Sequence, residues 1–139
     1  MRTLIETICT VATVALAGCG SDGGGTTNPQ STSPVGVWNL VTADGAPLPF
    51  AFQQRGVTYE VMSDQYVLLP DGTFTEAYQL RDTDGTIVGL ENLTDSGTWT
   101  VTGTVFVITY GDNGVAVTGT FSGNTVTLTQ LGALMVYKR

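Results

Sequence analysis

From Ser96 to Thr129 apolar and polar residues alternate with a period of two. Successive side chains of a strand point to opposite faces, so this pattern predicts strands with one dry and one wet face. Thr102-Gly103, Asp112-Asn113-Gly114 and Gly123-Asn124 interrupt the alternation and read as tight turns. The stretch is therefore four strands joined by three turns. Trp99/Val101, Phe106/Ile108/Tyr110, Val115/Val117/Phe121 and Val126/Leu128 are expected to face one interior. Thr98, Thr100, Thr118, Thr120, Thr125 and Thr127 are expected to face solvent. A slip of one residue would exchange the two sets along a whole strand. The strand from Thr104 to Tyr110 carries the weakest facing signal, because Val105 and Val107 make its other face apolar too.

Such a meander must bury its dry face, and the preceding residues provide the partners. Val35 to Val41 reads as a strand with Gly36, Trp38 and Leu40 on one face. Asp44-Gly45-Ala46-Pro47-Leu48-Pro49 ends it. Phe50 to Gln54 reads as a loop or short helical turn, folding over one end of the core. Val57 to Pro70 is extended, with a break at Ser63-Asp64-Gln65 that makes two short strands or one bent one. Asp71-Gly72 is a hairpin turn, and Thr73 to Arg81 follows with Phe74, Glu76, Tyr78 and Leu80 on one face. Asp82-Thr83-Asp84-Gly85 turns again before a weaker strand from Thr86 to Leu93. Ala133 to Arg139 is a terminal strand. Apolar residues at helical spacing do not recur beyond residue 18. The expected fold is all-β: an up-and-down antiparallel barrel of eight to ten strands, with an open sandwich as the alternative. Closure is favoured because it removes exposed strand edges.

Residues 1–18 read as a lipoprotein signal peptide rather than as part of the fold. Arg2 is the basic start, Ile5 to Ala15 is mostly apolar, and Leu16-Ala17-Gly18-Cys19 resembles a bacterial lipobox. An ordinary secretory signal and a short membrane anchor are the alternatives. The apolar run is short against the roughly 20 residues that a spanning helix needs. In the lipobox reading Cys19 accepts the lipid and residues 19–34 form a flexible linker of Gly, Ser, Thr, Asn and Pro. Gly20, in place of an Asp after Cys19, resembles an outer-membrane address, with the domain facing the periplasm. Residues 35–139 are then the single folded domain.

Composition removes much chemistry. The chain has no His, and its two Cys are Cys9 in the signal and the acceptor Cys19. Ser–His and Cys–His dyads, His metal ligands and thiolate zinc sites are absent as a class. Asp82-Thr83-Asp84-Gly85 has the acid spacing of a calcium-loop start but no later bidentate Glu, so it reads as a β-turn and no metal or cofactor is expected. The net charge of −7 leaves no basic face for a nucleic acid. Glu60, Asp64, Glu76 and Glu91 are the acids available for a carboxylate site. Among them Glu76 shares its face with Phe74, Tyr78 and Leu80, which would aim an acid into the barrel. The bland alternatives are a position near a rim, or neutralisation by Arg81 or Arg55.

Gly36-Val37-Trp38 at the domain start, a hairpin meander and a last strand ending in basic residues resemble the bacterial lipocalin-like domains. Asp71-Gly72-Thr73-Phe74 and Ser96-Gly97-Thr98-Trp99 resemble recurrent phrases of such small barrel lipoproteins. The resemblance implies that Trp38 closes one barrel end under a basic side chain of the last strand, either Lys138 or Arg139, with Gly36 permitting close approach. The one-face aromatics Tyr59, Phe74, Tyr78, Trp99, Phe106, Tyr110 and Phe121, with Glu76, are the candidate ligand-binding residues. They either line a cavity or simply fill a small barrel. The leading expectation is a membrane-anchored, non-enzymatic protein that binds a small hydrophobic or amphipathic ligand. A non-enzymatic envelope assembly or inhibitor module that works through its loops is the alternative, and an enzyme ranks third. A shared fold does not fix a shared activity.

Overall fold

The computed structural model describes residues 33–83 and 89–139. The expected signal peptide, Cys19 and most of the expected linker lie outside the described residues, as do Asp84 and Gly85 of the expected turn and the start of the expected strand at 86–88. The strands are β1 Gly36–Ala43, β2 Ala46–Pro47, β3 Phe50–Gln54, β4 Val57–Leu68 and β5 Thr73–Asp82, then β6 Leu90–Thr102, β7 Val105–Tyr110, β8 Ala116–Ser122, β9 Thr125–Gln130 and β10 Ala133–Lys138. All pair antiparallel in one sheet, β2-β1-β10-β9-β8-β7-β6-β5-β4-β3. Four pairs, from Gly36↔Leu68 to Asn39↔Gln65, join β1 to β4 and close the ring. The result is an eight-stranded up-and-down barrel of β1 and β4 to β10, with β2 and β3 added where β1 and β4 diverge.

Alternation builds the interior as expected. Phe106, Ile108, Phe121, Val126 and Leu128 are buried, and Trp99, Val101, Tyr110 and Val117 pack against them in part. Val105 is exposed, so β7 faces the way its Phe and Ile demand. Val115 differs: it stands at the rim, 52% exposed, because it precedes β8. Thr98, Thr100, Thr118 and Thr120 face solvent, while Thr125 and Thr127 are half-buried. Thr120 and Thr127 share a 2.7 Å hydroxyl hydrogen bond across the β8–β9 ladder.

Two strands carry bulges that shift the inward parity. In β1 the register slips between Leu40 and Thr42, so Trp38, Leu40 and then Ala43 are buried. In β4 it slips between Val61 and Ser63, so Val61 is followed inward by Asp64, Tyr66 and Leu68. An extra residue in one strand bends it and flips the faces beyond it. The expected break at Ser63-Asp64-Gln65 is thus a bend within one twelve-residue strand. Phe50 to Gln54 is a strand paired to β4, not a loop or helical turn. Its Phe50 and Phe52 alternate inward and pack against the core, and pairing satisfies the backbone groups that a loop there would leave bare.

Two glycines permit the tightest approaches. A Cβ at Gly119 would stand 1.7 Å from the Thr127 carbonyl oxygen, and one at Gly97 would stand 2.0 Å from that of Thr109. Only a residue with no side chain lets neighbouring strands meet this closely.

The two barrel ends differ. At one end Trp38 is buried, makes an edge contact with Phe121, and donates its indole N–H to the Pro34 carbonyl at 2.7 Å. Arg139 lies over the Trp38 ring, 4.6 Å from its centre, and donates to the carbonyls of Val35 and Gly123. Arg139 is therefore the capping cation; Lys138 is exposed at the end of β10. The β4–β5, β6–β7 and β8–β9 turns lie at this closed end. The other end is bounded by the β3–β4, β7–β8 and β9–β10 turns and by the tall wall of β4, β5 and β6.

Candidate functional site

The inward faces of β4 and β5 place two acids inside the barrel. Tyr66 pairs opposite Glu76 and Asp64 opposite Tyr78, which makes Asp64 and Glu76 diagonal neighbours. Asp64 is 6% and Glu76 5% exposed. Arg81 does not reach them; it forms an ion pair with Glu60 across the β4–β5 ladder. The Glu76 carboxyl stands within hydrogen-bond reach of Asp64 and of the Tyr66 and Tyr110 hydroxyls.

Tyrosines from three strands surround the pair. Tyr137 donates to Asp64 Oδ2 at 2.6 Å. The Tyr66 and Tyr110 hydroxyls share a 2.7 Å hydrogen bond. Gln130 donates from Nε2 to the Tyr137 oxygen at 3.0 Å, which joins β9 to the network. Edge-to-face contacts of Tyr66 with Phe74 and Tyr137, and of Phe74 with Tyr110, hold the phenols in place. The buried Oδ1 of Asp64 has no hydrogen-bond donor in this network.

Burial disfavours the charged form of every member. Burial raises Asp64 to about 6, against hydrogen bonds from Tyr137, Glu76 and the Gln65 backbone that lower it. Burial, and then the charge of Asp64, raise Glu76 to about 8. Tyr66, Tyr110 and Tyr137 are pushed well above the usual phenol range, first by burial, and stay protonated. The two carboxyls therefore hold one proton between them near neutrality and titrate as a unit.

Above this network the barrel is hollow. A cavity of about 380 Å³ has Asp64, Glu76, Tyr110, Gln130 and Met135 at its inner end. Val61, Tyr78, Leu80, Val117 and Phe52 form its walls, Asp95 of β6 stands directly opposite Glu76 in the β5–β6 ladder, and Gln54, Asn113, Val115 and Leu131 stand at its mouth. Volumes of about 300–1,000 Å³ with apolar walls and a few convergent polar groups are typical of small-molecule sites. None of the lining residues is basic.

A family model described as the lipocalin-like domain matches residues 35–130. The chain belongs to that family. Its match takes in β1 to β9, and the capping Arg139 lies beyond the matched segment. No curated protein matches the chain.

Within this lipocalin-like barrel the candidate ligand-binding residues divide. Glu76, Tyr78 and Tyr110 line the cavity. Phe74, Phe106 and Phe121 are buried in the core instead. Trp99 stacks on Phe106 and donates its indole N–H to the Leu69 carbonyl, at the closed end. Tyr59 stacks on Phe52 and does not line the cavity. Gly36, at φ 138°, sits 3.8 Å from an Arg139 nitrogen, measured from where its Cβ would lie. Asp64, Tyr66, Gln130 and Tyr137 complete the polar network; Asp64 was one of four acids available in the sequence but was not read as facing inward, and the other three were given no such role. One signal for Asp64 was present: the apolar parity of β4 changes from Tyr59 and Val61 to Tyr66 and Leu68.

Proposed function

We propose that this lipocalin-like protein binds a small amphipathic molecule in the open half of its barrel and is not an enzyme. One observation carries the reading: apolar walls lead down to a buried, hydrogen-bonded polar group in a cavity of about 380 Å³. Tail burial supplies the affinity, and the polar end selects and orients the head. The closed half, packed around Trp38, Phe74, Phe106 and Phe121, is scaffold.

The reading extends to the cell. The Leu16-Ala17-Gly18-Cys19 motif supports lipid attachment at Cys19 and residence as an envelope lipoprotein, with the outer membrane facing the periplasm as the proposed address. An interaction module working through its loops is the competing view, and the cavity favours the binder.

Isotope-edited NMR of the full-length protein with octan-1-ol tests the proposal. Shifts should concentrate at Val61, Leu80, Val117 and Met135. Shifts confined to outward residues such as Thr98 and Thr118, or none at all, overturn it.

A further inference from the structure

The cavity reading says that a head group meets the inner end, and the chemistry there selects its charge. Two carboxyls stand side by side with no cation to answer them. The groups that face the pair are Tyr66 and Tyr78 on the same two strands, Asp95 of β6 directly opposite Glu76, Tyr110 on β7, Gln130 on β9 and Tyr137 on β10. Each of these is neutral or acidic. The four basic residues among those described lie elsewhere: Arg81 pairs with Glu60, Arg139 lies over Trp38, and Arg55 and Lys138 are exposed and do not line the cavity.

Asp64 provides the second, independent observation. It is nineteen parts in twenty buried or nearly so, at 6% exposure, and borders the cavity. Its Oδ2 is taken by Tyr137 and its Oδ1 by no donor. A buried oxygen without a donor costs free energy, and an incoming N–H would recover it.

We propose that the ligand is a cationic amphiphile, a primary or secondary ammonium seated against Asp64 and Glu76 with its apolar tail along Val61, Leu80 and Val117 toward the mouth. This rests on the cavity reading. An ammonium provides donors for Oδ1 and for Glu76, and a positive charge that favours both carboxylates ionised. The proton that the pair shares without ligand then leaves to solvent as the ammonium arrives. An alcohol head gains hydrogen bonds but no charge attraction. A carboxylate head meets acids and is repelled. The proton-linked exchange follows from the diagonal placement of the acids; their raised affinity for protons sets the pH range near neutrality.

Calorimetric titration of the full-length protein at pH 7.5 with octylamine, octan-1-ol and octanoate tests the inference. The three share one tail and differ in head charge. Octylamine should bind at least about tenfold tighter than octan-1-ol, a difference of about 1.4 kcal/mol, with octanoate weakest. Its heat should differ between phosphate and Tris buffers in the sense of proton release, and Glu76→Gln should erase the preference for amine over alcohol. Equal affinity for amine and alcohol overturns the cationic head and leaves the cavity reading standing. An amine preference that survives Glu76→Gln places the ammonium elsewhere and overturns the inference as well. Binding of none of the three overturns both readings.

Discussion

Tyr137 of β10 reaches past β1 to donate a 2.6 Å hydrogen bond to Asp64 of β4. The bond links two strands that are not neighbours in the sheet, so it ties the barrel across its interior. Tyr137→Phe removes the phenol donor from Oδ2 of the buried Asp64. A loss of about 1–3 kcal/mol is expected on chemical denaturation, the cost of stranding a buried polar group. A loss under about 0.5 kcal/mol would mean that water replaces the phenol freely.

The acid pair makes stability depend on pH in an unusual direction. Both folded-state values are raised, Asp64 to about 6 and Glu76 to about 8, above the ordinary 3.8 and 4.5. The folded protein then holds protons that the unfolded chain releases, so the slope of stability with pH is negative. The contribution is fully present below about pH 4 and is lost as pH rises through about 8. Denaturation midpoints should fall across that window, and Glu76→Gln should flatten the upper part of it. A flat profile in the parent protein would show that the acids ionise without cost.

Trp38 and Arg139 share one end of the barrel but contribute unequally. Trp38→Ala should cost roughly 3–5 kcal/mol, because it opens a hole under the cap and leaves Phe121 without its ring partner. Arg139→Ala removes an exposed cation from the ring face and should cost about 0.5–1 kcal/mol. Urea titration of the two variants separates them, and near-equal losses would show that the guanidinium, not the indole, holds the end together.

Gly119→Ala should be far worse than its size suggests. The added carbon falls 1.7 Å from a Thr127 carbonyl oxygen, where backbone has no room to give unless β8 and β9 part. A loss of about 3 kcal/mol or more is expected. Thermal unfolding close to that of the parent would show that the strands relax there at little cost.

Much of this was legible in the sequence, and where it was not the cause is physical. Strict alternation made β5 and β7 to β9 readable, and it put Glu76 on the same face as Phe74 and Tyr78; the expected weaker strand Thr86 to Leu93 and the meander from Ser96 are instead joined in one strand, Leu90–Thr102. The inward direction of Asp64 stayed hidden because the bulge after Val61 adds one residue, so the inward set changes from odd to even numbers. Without that shift counted, Ser63-Asp64-Gln65 looks like a polar break. Tyr66, Gln130 and Tyr137 follow the ordinary pattern of a filled strand, and nothing local reports that their polar ends converge across the barrel. Phe50 to Gln54 is brief and follows two prolines, so its pairing with β4 depends on a partner that composition does not name. The same alternation could not divide packing from lining, because Phe106 and Tyr110 share a face and differ only in height along the barrel.

The lipid proposed at Cys19 gives a direct test of location. Cys19→Ser should abolish labelling by a fatty-acid analogue and move the protein from the membrane to the soluble fraction. Retention of the label would rule out attachment at that residue.

The chain enters the barrel at Pro34, whose carbonyl is held by the Trp38 indole at the closed end. The mouth lies at the opposite end, between Val115 and Leu131. An anchor upstream of Pro34 would therefore attach on the sealed side of the barrel, at the far end from the opening.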